Sequence, residues 1–197
     1  CQYLSARLRT LRIRTRSDLT YTLEELNALS KEDAAFAFTN CCTASRWVAG
    51  MVEARPFDTI DQCHLAAKTI CDTMEEADFL EAFEGHPKIG DVTSLRKKYA
   101  HTKKLASGEQ SSVSEANERT IAALAQGNTD YENKFGFIFI VCATGKSAAQ
   151  MNDLLQARLP NERDTELQNA AQQQALITAI RINKLIRPQA IKGLTPR

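Results

Sequence analysis

Along "TIDQCHLAAKTICDTM", residues 59 to 74, the apolar positions Ile60, Cys63, Ala67, Ile70 and Met74 recur at three- and four-residue steps. That spacing stacks them on one side and predicts a helix with a single buried face. Start signals recur along the chain. Thr22 with Glu25, Ser112 with Glu115, and Thr129 with Glu132 fit the capping-box spacing, in which hydroxyl and carboxylate each satisfy an amide that the first helical turn leaves unpaired. "ERDTELQNAAQQQALITAIRINKLI", residues 162 to 186, predicts a long helix after Pro160 and Asn161, stopped by Pro188. In "EAFEGHPKIGD" a helix-forming run breaks at Gly85, and the proline after His86 pushes the histidine backbone out of the α region. "FGFIFIV", residues 135 to 141, has the local propensity of a buried strand. Periodicity does not separate a short buried strand from a buried helix, and no second strand-like run is available as a partner, so a helix is expected there. The predicted fold is all-α.

A chain of 197 residues with 43% hydrophobic content has material for one core. The helical signals define one domain over residues 21–190, with a basic segment at 1–20 and a short tail at 191–197. That first segment carries five arginines before its first acid, Asp18, and begins with Cys. It resembles a transit peptide, and equally a vector-derived or upstream-translated piece, and does not enter the fold argument. Lys and Arg total 25 against 24 Asp and Glu, a balance that offers no general attraction for nucleic acid or an acidic membrane. No apolar run approaches the roughly 20 residues of a membrane span.

Six irregularly spaced cysteines, two of them adjacent at Cys41 and Cys42, make a poor disulfide framework and read as reduced, mostly buried thiols. Without a CxxC pair or HExxH-like spacing, no metal site is expected. "ATGKSA" contains Gly145-Lys146-Ser147, but a phosphate-binding P-loop needs a glycine where Ile140 stands.

Three places carry candidate chemistry. His86 lies in a Gly-His-Pro turn, where the proline ring removes backbone freedom and can aim an imidazole as a general acid or base requires. Glu109 and Gln110 precede the Ser112 start signal, near a helix N-terminus that favours negative charge. Arg181, at about 100° per residue, falls within roughly 40° of Leu167 and Leu185 on the last helix. It is either a surface residue with a covered stem or a buried partner for an anion.

Together, "LEELNALSKEDAAFAF", "SRWVAGMVEARPFD", "HPKIGD", "SGEQ", "YENKFGFIFIVCATGKSA", "ARLPNERDTELQNAA" and "ITAIRINKLI" resemble the 2-oxo-4-hydroxy-4-carboxy-5-ureidoimidazoline (OHCU) decarboxylase family from about Tyr21 to Ile186. The resemblance implies an all-α domain, a homodimer, and cofactor-independent decarboxylation of a small ureidoimidazoline to (S)-allantoin in urate degradation, with neither metal nor organic cofactor. It also implies that "FGFIFIV" is helical. By motif, the catalytic histidine falls on His86, the active-site glutamate on Glu109 and the substrate-binding arginine on Arg181. Pro87, Gln110, Phe137, Ile138, Phe139 and Ile140 match the pocket lining. Many members carry a serine three residues before the glutamate, where this chain has Ala106 beside Ser107. Either the loop is shifted by one residue, which makes Ser107 a substrate-binding residue, or that hydroxyl contact is lost. The closing "GLTPR" lacks an S-K-L address, pointing to a cytoplasmic setting, or an organellar one if the basic segment is native.

Overall fold

The computed structural model describes residues 20–86, 92–99 and 110–188. Among them the elements in chain order are α1 Leu23–Asn27, α2 Lys31–Thr39, α3 Ser45–Glu53, α4 Ile60–Cys71, α5 Glu76–Glu84, α6 Val92–Tyr99, α7 Gln110–Phe135, α8 Ala148–Arg158 and α9 Arg163–Leu185. No strand forms among the described residues, and the fold is all-α as expected.

The amphipathic pattern of α4 buries Cys63 and Ala67 fully, while Ile60, Ile70 and Met74 pack half-buried on the core and Met74 lies past the helix end. The centre of the core is aromatic. Phe38 of α2 meets Trp47 of α3 edge-on at 6.2 Å and Phe57 at 6.4 Å, the geometry favoured by the ring quadrupoles. Helix α9 crosses this core with Glu166, Ala170, Gln174, Thr178, Ile182 and Leu185 turned inward.

The capping box at Thr22 and Glu25 forms as expected, with both reciprocal bonds present. The boxes expected at Ser112–Glu115 and Thr129–Glu132 do not start helices, because both pairs lie inside the 26-residue α7. Around Thr129 the amides are already paired to the preceding turn, so there is nothing to cap. Thr129 Oγ1 instead donates back to the Ala125 carbonyl at 3.3 Å. A box absent from the sequence reading starts α8: Gly145 turns the chain at a φ of 76°, and Ser147 and Gln150 then cap each other. This turn accounts for the Gly-Lys-Ser motif.

"FGFIFIV" is not helical, contrary to expectation: α7 ends at Phe135, and residues 136–143 run as irregular chain, neither helix nor strand. Gly136, at a φ of 79°, ends the helix in the left-handed region that glycine tolerates. Beyond it the rings of Phe137 and Phe139 clamp onto Tyr131 at 5.9 and 5.1 Å, and Phe137 also meets Phe83 of α5 at 5.4 Å. Side chains supply hydrogen bonds that a helix would have made. Arg158 donates to the Ile140 carbonyl at 2.8 Å, and the Cys142 amide donates to Gln173 Oε1 at 2.9 Å.

The two ends of the described domain meet. The Tyr21 amide donates to the Leu185 carbonyl and the Arg187 amide to the Tyr21 carbonyl, both at 2.8 Å, and Arg187 pairs with Glu25.

Candidate active site

Helix α5 ends at Glu84 with Gly85 as its cap at a φ of −70°, an ordinary helical value, so the glycine is not there for backbone freedom. It is there for space. A Cβ on Gly85 would sit 2.3 Å from Thr43 Oγ1, and Thr43 donates to the Glu81 carbonyl at 3.0 Å. The Glu81 carboxylate in turn accepts from the Ser45 amide at 3.0 Å, capping an α3 start that Ala44 leaves without a side-chain cap. The loop before α3 is thereby locked against the end of α5, and the next residue, His86, is aimed across at α9.

There the half-buried His86 ring meets Gln174, with Nε2 2.6 Å from Gln174 Oε1. Gln174 is 2% exposed, and its Nε2 donates to Thr178 Oγ1 at 3.1 Å, one turn further along α9. Burial lowers the His86 pKa below its ordinary value, the bond to Gln174 acts in the opposite direction, and the positive charge of Arg181 lowers it further. The imidazole is therefore neutral at neutral pH.

Arg181 lies seven residues after Gln174, two helical turns along the same side of α9. Two readings stand open for it, a surface residue with a covered stem or a buried partner for an anion. Its guanidinium is half-buried, donates to the Cys41 carbonyl at 3.1 Å, and forms no ion pair among the described residues. Among the described residues, four of the five guanidinium donors thus remain for another acceptor.

Of the other expected site residues, Pro87, Ser107 and Glu109 lie outside the described residues, and Gln110 is described only as the first residue of α7. Phe137 and Ile140 are 5% and 2% exposed and belong to the core, while Ile138 and Phe139 are half-buried. His86 reaches α9 through Gln174 and lies close enough to Arg181 for the guanidinium charge to act on its ring.

Two features were absent from the sequence reading. One is Gln174, whose only signal was its place two turns before Arg181. The other is a buried polar cluster behind the "FGFIFIV" segment. Glu166, wholly buried, accepts from Arg158, from Tyr131 Oη at 2.5 Å, from Asn161 at 2.9 Å and from Asn169 at 3.1 Å. Burial alone would raise the Glu166 pKa, but these donors hold it below the usual carboxylate value, while Tyr131 is pushed well above its own and stays protonated. Arg158 also stands 4.8 Å over the Phe139 ring, tying the irregular segment to the cluster. Between α4 and α9 lies a mostly apolar cavity of about 560 Å³; Gln174 and Thr178 are in its wall, and His86 and Arg181 are not.

Residues 27–183 match the OHCU decarboxylase family. The chain belongs to this family. It is 29% identical over 85% of its length to a 2-oxo-4-hydroxy-4-carboxy-5-ureidoimidazoline decarboxylase of Halalkalicoccus jeotgali, covering 93% of that protein. It is 31% identical over 76% of its length to a uric acid degradation bifunctional protein of Arabidopsis thaliana, of which it spans only 46%. A crystal structure of an OHCU decarboxylase in the presence of (S)-allantoin superposes with a TM-score of 0.61 at 31% identity, over 80% of this chain and 98% of that one. A crystal structure of (S)-allantoin synthase shares the fold with a TM-score of 0.62 at 17% identity, over 84% of this chain and 54% of that one.

Proposed function

We propose that this chain decarboxylates 2-oxo-4-hydroxy-4-carboxy-5-ureidoimidazoline to (S)-allantoin in urate degradation, acting as a homodimer without metal or organic cofactor. The observation that carries the reading is a neutral, proline-flanked His86 held against the helix that carries Arg181, which forms no ion pair among the described residues, in a chain of the OHCU decarboxylase family.

The substrate's tetrahedral ring carbon bears both hydroxyl and carboxylate. When its bond to the carboxylate breaks, carbon dioxide leaves and the electron pair flows into the adjacent ring C=N, whose nitrogen takes up a proton. The hydroxyl then becomes the ring carbonyl as it loses its proton, and the ureido-bearing carbon gains one. The substrate is its own electron sink, so the chemistry needs no separate one. What the protein must supply is orientation, stabilisation of developing charge, and proton transfer to one face.

In this scheme the Arg181 fork binds an anionic or carbonyl edge of the substrate. Glu109 and Gln110 hold the ureido group or ring N–H, and Pro87, Ser107, Ile138 and Phe139 line the pocket, with the buried Phe137 and Ile140 supporting it. His86 exchanges a proton with the hydroxyl on the carbon that also bears the carboxylate, which suits a group titrating near or below neutrality.

The test generates the unstable substrate in situ from urate with purified upstream enzymes and follows the circular dichroism of the product. Rapid build-up of one allantoin enantiomer, abolished in His86→Asn, supports the assignment. Racemic product at the spontaneous rate with the wild-type chain would overturn it.

A further inference from the structure

His86 is neutral, so its ring carries one proton, and which nitrogen holds it decides what the ring can do. Gln174 Nε2 is engaged as a donor to Thr178 Oγ1 at 3.1 Å, which leaves Oε1, an atom that can only accept, facing His86 Nε2 at 2.6 Å. With the amide in this orientation the proton sits on Nε2. Nδ1 then keeps its lone pair, and it has no hydrogen-bond partner among the described residues. Gln174 is held in place by its surroundings, being 2% exposed in the inward stripe of α9 between Ala170 and Thr178.

We propose that Gln174 is a positioning residue which fixes His86 in the Nε2–H tautomer and so makes Nδ1 the ring's proton acceptor. This rests on the decarboxylase reading for its catalytic meaning, and assigns His86 the role of general base in the resting enzyme. The first proton transfer is then from substrate to Nδ1, and any proton returned to the product comes from that same atom or from a group it has protonated.

Among the described residues, the surroundings support a single titrating group here. Arg181, on α9, is the charge whose field reaches the ring, and it disfavours the imidazolium. The adjoining loop contributes the thiols of Cys41 and Cys42, which burial pushes up to about 12 and about 11 and so keeps neutral. On α5, Glu81 is engaged with Ser45, and Glu84 is exposed.

The tautomer can be read without turnover, from ¹⁵N chemical shifts of the full chain labelled at histidine. The three histidines are separated by the signal lost in His86→Asn. At neutral pH the His86 signals should show a protonated Nε2 and a bare Nδ1. Replacing the amide acceptor by a carboxylate in Gln174→Glu stabilises the imidazolium, and should move the acid limb of kcat upward by about 1–3 pH units. Gln174→Leu removes the acceptor and should lower kcat on the order of 10²-fold with KM changed little, as expected for misaligned proton transfer. A proton on Nδ1 in the wild-type chain, or an acid limb and imidazole signals unmoved in Gln174→Glu, would overturn the proposal. If the tautomer is as stated but the chain forms no allantoin above the spontaneous rate, the decarboxylase reading fails while the role of Gln174 in holding the ring stands.

Discussion

Glu166 offers the sharpest test of the packing argument. Its carboxylate is wholly buried against Arg158, whose side chain is 13% exposed, and it also accepts from Tyr131, Asn161 and Asn169. Removing one member of a buried pair leaves the other charge uncompensated, which costs about 3–5 kcal/mol, whereas replacing both by apolar groups is often neutral or stabilising. Here Arg158 would retain its bond to the Ile140 carbonyl and its place over Phe139, which favours the lower half of that range for Glu166→Leu. The loss of an acceptor for the buried Tyr131 hydroxyl adds about 1–3 kcal/mol in the other direction. A cost of about 3–5 kcal/mol is therefore expected for Glu166→Leu. The double variant Arg158→Leu/Glu166→Leu should cost less than the sum of the two singles by about 1–3 kcal/mol. Urea unfolding followed by far-ultraviolet circular dichroism measures all three. A single-variant cost below about 1 kcal/mol, or strict additivity in the double variant, would refute the claim that this cluster pins the irregular segment.

Three further outcomes are expected. Because burial and Arg181 depress the His86 pKa, kcat/KM should be flat above pH 6.5 and fall only below it; Arg181→Gln should move that limb upward, and a limb above pH 7 in the wild type would contradict the assignment. Gly85→Ala forces a Cβ to within 2.3 Å of Thr43 Oγ1 and should destabilise by about 1–3 kcal/mol, partly relieved by Thr43→Ala; an unchanged midpoint in urea would show that the contact yields freely. Burial pushes the Cys41, Cys42 and Cys63 thiols up to about 12, about 11 and about 12, so these three should resist a thiol reagent at pH 8 until the protein is unfolded, and rapid labelling of any of them in the native state would be inconsistent with their burial.

Helices whose formation is local were legible in the sequence. The buried face of α4, the limits of α9 and the break at Gly85 all follow from periodicity or from proline, and the structure places them where the residues say. The spacing of a hydroxyl and a carboxylate was less informative, since Thr129 and Glu132 satisfy it in the middle of α7 as well as Thr22 and Glu25 do at a helix start. "FGFIFIV" was misread because its conformation is decided by distant partners: the ring of Phe83, the guanidinium of Arg158 and the amide of Gln173 lie far off in sequence. For the site, the proline after His86 and the late arginine were visible as chemistry. Gln174 was not, because a glutamine in "AAQQQALITAI" differs from its neighbours only in facing inward, and that is settled by how α9 lies on the core.

The pairing of Tyr21 with Leu185 and Arg187 makes the described domain a nearly closed loop of chain. A polypeptide joined before Tyr21 and another joined after Arg187 would both leave the fold at one spot on its surface. Fusion to a second domain at either end would thus place that domain in the same neighbourhood, without reordering the helices between. A short peptide bridging the two ends would likewise allow the chain to be opened elsewhere, and the turn at Gly145 offers such an opening. The bridge between Tyr21 and Ile186 is parallel, so the same two backbone bonds would be loaded together, in shear, by tension applied across the ends.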